Sequence, residues 1–117
     1  MTPLLVALGA AVGALTRFWV AHHLDGRTHY GTWLVNVSGS FVLGVLTGLA
    51  LHHGLPETSR VVLGAGFCGA FTTFSAFTVD TVHLVADGAG LAAVVNVVGT
   101  LVVGVAAATL GLALASI

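Results

Sequence analysis

Side chains able to hydrogen-bond recur at helical spacing inside stretches that are otherwise apolar. Asn36, Ser40 and Thr47 follow one another at steps of four and seven, so they share one helical face. Asn96 and Thr100 repeat the step of four. The densest group is Gly69-Ala70-Phe71-Thr72-Thr73-Phe74-Ser75-Ala76-Phe77, continued by Thr78 and Thr81. All of these polar residues offer hydroxyl or amide donors without net charge. Phe71, Phe74 and Phe77 recur at every third position and crowd one side of a helix. A phenyl ring has a negative face and a positive edge. Neutral donors bordered by ring edges are contacts that a small anion can make and leave; a carboxylate would repel it and an arginine would trap it. Taken singly, each residue has a plainer role. Ser and Thr bond back to their own helix, Asn joins neighbouring helices, and rings pack against lipid. Three stretches with aligned donors favour a polar track.

Other candidates carry less. Arg17 lies about six residues inside the end of the first apolar stretch, roughly 9 Å deep by helical rise. Its guanidinium either snorkels to the headgroups or stands at the mouth of an aqueous vestibule, where it would concentrate anions. Asp80 sits near the far end of the third stretch, which suits an interfacial role better than a proton relay. Six histidines invite a metal reading, but His22-His23 and His52-His53 close the first two stretches, on opposite faces of one subunit. Cys68 reads as a small buried hydrophobe. The sequence contains no recognisable nucleophile, carboxylate pair or phosphate loop, which points away from an enzyme.

These residues need elements to hold them, and composition says where those elements are. Of 117 residues, 57% are hydrophobic, 16 are glycine and only 6% are charged. A soluble domain carries about a quarter charged residues, so this chain could not cover a water-facing surface. One cysteine allows no internal disulfide, and three basic residues with a net charge of −1 argue against nucleic-acid binding. A bilayer span needs roughly 20 mainly apolar residues. Polar punctuation leaves four such stretches, 3–21, 31–51, 60–85 and 90–115, in one integral membrane domain. No basic segment precedes the first, so a permanent helix is expected there rather than a cleaved leader.

The positive-inside rule votes once each way: Arg27 lies in the first loop, and Arg60 closes the second on the opposite side. A chain so balanced can insert both ways up and pair antiparallel with a second copy, unless a subtler signal fixes one orientation. Gly9-x-x-x-Gly13 and Gly44-x-x-x-Gly48 provide smooth faces for close helix packing. Glycines 64, 66 and 69 and the paired threonines weaken the third helix near the midplane. A break there would free backbone carbonyls, which must line a cavity or bind a cation; a continuous glycine-rich helix is the alternative.

Three ordered motifs resemble one family. Gly9-x-x-x-Gly13-Ala14-x-x-Arg17-Phe18, Gly31-Thr32-x-x-Val35-Asn36-x-x-Gly39-x-Phe41-x-x-Gly44 and Gly66-Phe67-x-Gly69-x-x-Thr72-Thr73-Phe74-Ser75-x-Phe77 are similar to the Fluc/CrcB fluoride channel family over nearly the whole chain. The resemblance implies an all-α membrane protein of four spans with the third helix broken, forming an antiparallel, dual-topology dimer in the cell membrane of a bacterium. It implies passive fluoride export and fluoride resistance. The family's phenylalanine box falls on Phe74 and Phe77, its pore amide on Asn36, its polar track on Ser75, and its vestibule arginine on Arg17. A structural sodium ion at the dimer centre would be held by the carbonyls of Gly69 and Thr72 from both subunits.

The fourth span departs from the family. A Tyr, Ser and Gly at steps of four are replaced by Asn96, Thr100 and Gly104. Thr100 keeps a hydroxyl donor, whereas Asn96 removes a ring from one fluoride contact at that pore position. The number of conducting pores and the choice between homodimer and heterodimer therefore stay open, the latter including a non-conducting partner role. A small dual-topology drug–proton antiporter needs a deep carboxylate in its first span, and the first acid here is Asp25, in a loop.

Overall fold

A computed structural model describes residues 1–24 and 30–117. Asp25 and Arg27 lie outside the described residues. Within them every regular element is helical: α1 (Thr2–Leu24), α2 (Tyr30–His52), α3 (Glu57–Arg60), a π-helical segment Val61–Cys68, α4 (Gly69–Phe71), α5 (Phe74–Ala86) and α6 (Gly90–Ala115). Four stretches are long and apolar enough to cross a bilayer: Thr2–His23, Gly31–His52, Glu57–Ala86 and Gly90–Ala115. The chain is a multi-pass membrane protein.

Local chemistry sets the ends of these elements. Pro3 occupies the first turn of α1 and Pro56 directly precedes α3, positions where a missing N–H breaks no helical bond. Gly54 (φ +67°) and Gly88 (φ +78°) take the left-handed conformation that ends α2 and α5. After Gly88, Ala89 N–H donates back to Leu84 O at 2.8 Å, turning the chain tightly into α6.

Glycine lets backbones meet. An added Cβ at Gly9 would stand 2.8 Å from Val62 O, and one at Gly13 would run into Phe67 O. At Gly66 the added carbon would stand 2.8 Å from Val6 O, so α1 lies parallel against the π-helical segment. Likewise Gly44 faces Ala108 O and Gly48 faces Leu112 O, with Gly111 against Phe41 O, so α2 and α6 run parallel. Among the described residues few large side chains are buried, and Val35 is the large one most fully enclosed. Leucines and valines of α1 and α6 cover the outside, which suits a hydrocarbon solvent.

Thr72 (φ −82°, ψ 159°) and Thr73 (φ −147°, ψ 118°) are extended residues between α4 and α5. They lie midway along the third span, where the backbone needs partners other than its own helix.

Candidate functional site

Asn36 supplies those partners. Its Nδ2 donates to Thr73 O at 3.0 Å, and its Oδ1 accepts from Thr73 N–H at 2.8 Å. One amide side chain on α2 thus satisfies both peptide groups of a buried extended residue on the third span. Thr73 then caps α5 with its own side chain: Oγ1 accepts from Ala76 N–H at 3.1 Å. The same oxygen lies 3.2 Å from Ser75 Oγ.

Each diversion takes from a carbonyl the donor it would have in a continuous helix. In a continuous helix Thr73 N–H would donate to Gly69 O, and Ala76 N–H to Thr72 O. Here the first goes to Asn36 and the second to Thr73 Oγ1. Gly69 and Thr72 both line an open cleft of about 610 Å³. Asn36, Phe74, Phe77 and Thr100 line it too, and none of the described residues in its wall is charged. The rings of Phe74 and Phe77 lie 6.0 Å apart at 44°. Phe74 is 79% exposed, so its ring is available to lipid or to another subunit. Thr100 Oγ1 is buried and has no hydrogen-bond partner among the described residues. Unpaired buried hydroxyls are rare enough to call for a cause.

The family described as "CrcB-like protein, Camphor Resistance (CrcB)" matches residues 4–112. This chain belongs to that family. It is 44% identical to "Fluoride-specific ion channel FluC 2" of Rhodococcus jostii (strain RHA1), over 99% of this chain and 100% of the relative. It is 48% identical to "Fluoride-specific ion channel FluC 2" of Natronomonas pharaonis, over 97% and 94% of the two chains. A third relative, "Fluoride-specific ion channel FluC 1" of Symbiobacterium thermophilum, is 43% identical over 97% of each.

In this CrcB-family chain the expected site residues fall into three groups. Asn36, Gly69, Thr72, Phe74, Phe77 and Thr100 converge on the cleft, joined by Ser40, whose hydroxyl donates to Asn36 O at 2.8 Å. Arg17 lines a second cavity of about 230 Å³ with Phe18, Thr32 and Thr73. Neither Ser75 nor Asn96 lines the cleft: Ser75 Oγ lies 3.2 Å from Thr73 Oγ1, and Asn96 donates from Nδ2 to Thr81 Oγ1 at 2.9 Å. Thr47, expected on the Asn36 face, is exposed and bonds back to Leu43 O. His22 and His23 lean on Phe18 and Trp19 at the end of α1. Among the described residues no group of three His, Cys, Asp or Glu side chains could hold a metal.

Thr73 is the residue that the polar spacing undervalues. It borders both cavities, its backbone takes both ends of the Asn36 amide, and its hydroxyl caps α5. A signal for the cap exists in Thr73-Phe74-Ser75-Ala76, a threonine directly ahead of a helical run. Thr81 is undervalued for a similar reason, because its use depends on which residue of α6 lies opposite.

Proposed function

We propose that this chain forms a fluoride-selective channel that lets cytoplasmic fluoride leave the cell passively and so confers fluoride resistance. The observation that carries the reading is the cleft, in which Asn36, Thr100 and the rings of Phe74 and Phe77 meet without a charged side chain. The names of its relatives support the ion. Fluoride is small and strongly hydrated, so a pore has to replace its water donors one by one. Thr100 holds a hydroxyl with no competing protein partner. Asn36 spends one amide N–H on Thr73 O and has a second to offer. Ser75 adds a hydroxyl, and Phe74 and Phe77 add ring edges. Several weak neutral contacts allow entry and exit, as conduction requires. Arg17, on the far side of Thr73, raises the local anion concentration at the mouth. In acidic surroundings fluoride enters a cell as the neutral acid and ionises inside, and the negative interior then drives the anion out.

The pore belongs to an antiparallel, dual-topology dimer in which helix three is broken at Thr72–Thr73. The open side of the cleft and the balanced Arg27 and Arg60 charges support it. A second copy closes the cleft; an unlike family member replaces it if the purified chain alone is silent. Gly69 O and Thr72 O, both released from helical donors, fit a sodium ion as hard, neutral oxygen ligands. Held by these carbonyls from both subunits, the ion would supply fixed positive charge that joins the two chains.

Efflux from liposomes containing only the purified polypeptide tests the reading. Fluoride should leave while chloride stays, and Phe74→Ala or Phe77→Ala should slow the loss at least tenfold. Chloride passing as readily as fluoride would refute it.

A further inference from the structure

We infer that Asn96 is a positioning residue, which acts through Thr81 to hold Phe77 opposite Thr100 and does not itself touch the ion. The inference rests on the channel reading and assigns a role to the residue that departs from the family pattern. Asn96 Nδ2 donates to Thr81 Oγ1 at 2.9 Å, and Thr81 Oγ1 donates to Phe77 O at 2.8 Å. The amide, the hydroxyl and the carbonyl thus form one chain from α6 to the backbone of a cleft residue.

Register explains why this matters. α5 and α6 are antiparallel neighbours joined by the turn at Asp87–Ala89. Thr81 and Asn96 face each other on one level. One turn further from the loop, Phe77 and Thr100 both line the cleft, whereas neither Thr81 nor Asn96 does. Among the described residues α5 buries none of its own side chains, so packing does little to hold it in place. Hydrogen bonds on either side of Phe77 do that instead. Thr73 is clamped by Asn36 just ahead of α5, and Thr81 is tied to Asn96 one turn beyond Phe77. In hydrocarbon such a link has no water competing for it. Loss of the outer link lets α5 slide or rotate against α6, and the Phe77 ring leaves its place in the cleft wall that Thr100 also lines.

A double-mutant cycle on fluoride efflux and on thermal unfolding tests this. Asn96→Ala and Thr81→Val should each slow efflux about threefold or more, as expected for losing one interhelical hydrogen bond in a bilayer. The double variant should be no slower than either single one, and Thr81→Ser, which keeps the hydroxyl, should run at the wild-type rate. The same non-additivity should appear in the melting temperatures. A slow Asn96→Ala beside a wild-type Thr81→Val would mean that Asn96 meets fluoride directly, and would overturn the inference. Additive losses, or a Thr81→Ser as slow as Thr81→Val, would overturn it as well. If the wild-type chain passes no fluoride either alone or together with an unlike family member, the channel reading fails; additive shifts in melting would then reject the hairpin link separately.

Discussion

Replacing Thr100 by valine separates what a residue does for the fold from what it does for the ion. The two side chains have nearly the same shape, and the change removes one hydroxyl from a residue that lines the cleft. That hydroxyl is buried and makes no hydrogen bond with any described residue. Leaving a buried polar group unpaired costs about 1–3 kcal/mol, so its removal should stabilise the protein by about 1 kcal/mol and raise the melting temperature. In the proposed channel the same hydroxyl donates to fluoride. A hydrogen bond to a charged group contributes about 1.5–3 kcal/mol, and each 1.4 kcal/mol is roughly tenfold in rate. Efflux should therefore fall between about tenfold and a hundredfold, while Thr100→Ser should keep most of it. The two readouts must move in opposite directions. A valine variant that is less stable yet conducts at the wild-type rate would show that the hydroxyl serves packing alone.

Other perturbations test the frame around the site. Asn36→Ala removes both hydrogen bonds to the Thr73 peptide groups, which Thr73 (8% exposed) cannot replace with water; a loss of about 2 kcal/mol is expected in thermal unfolding, with slower efflux. Gly44→Ala would press a methyl into Ala108 O, backbone against backbone, and should destabilise by about 1–3 kcal/mol as α2 and α6 separate. Gly88→Ala, at φ +78°, should cost about 1 kcal/mol through left-handed strain alone and leave ion selectivity unchanged. Exchanging all sodium for a bulky organic cation should lower the melting temperature, and restoring sodium should recover it; indifference to sodium would remove the proposed central ion.

How much of this was legible in the sequence varies from residue to residue. The four stretches follow from polar punctuation, and the structure has four helices long and apolar enough to cross a bilayer. Hydropathy fixes such boundaries because lipid excludes every alternative. Residue type alone says that Asn36 should bond to a neighbouring helix, because an amide in hydrocarbon must find partners. That its partner is the peptide of Thr73, 37 residues away, depends on how α2 and the third span lie side by side, which no local spacing encodes. Asn96 illustrates the limit most clearly. Its step of four to Thr100 placed both on one face and suggested a shared task, yet Thr100 lines the cleft and Asn96 bonds to Thr81. A helical face about 100° wide is broad enough to serve two neighbours, and the sequence does not say which neighbour each residue meets.

The extended pair also explains how an ion site can be built without charged side chains. An ionised residue at the midplane is expensive and binds an opposite ion too tightly for release. Ends of helices offer partial charges instead: exposed carbonyls where a helix stops and exposed N–H groups where one starts. At Thr72–Thr73 both kinds of end occur within a few residues of each other, α4 ending at Phe71 and α5 beginning at Phe74. Thr73 Oγ1 occupies only one donor at the start of α5, that of Ala76. In the proposed channel, the carbonyls of Gly69 and Thr72 therefore suit a cation, while the start of α5, with the Phe74 and Phe77 rings beside it, suits an anion. Asn36 is what keeps these opposite preferences apart. By taking both peptide groups of Thr73 it prevents the chain from winding back into a helix, which would consume the carbonyls and the N–H groups together. Any substitution that restores helical hydrogen bonding across Thr73 should therefore abolish fluoride efflux and the sodium dependence of the melting temperature in a single step.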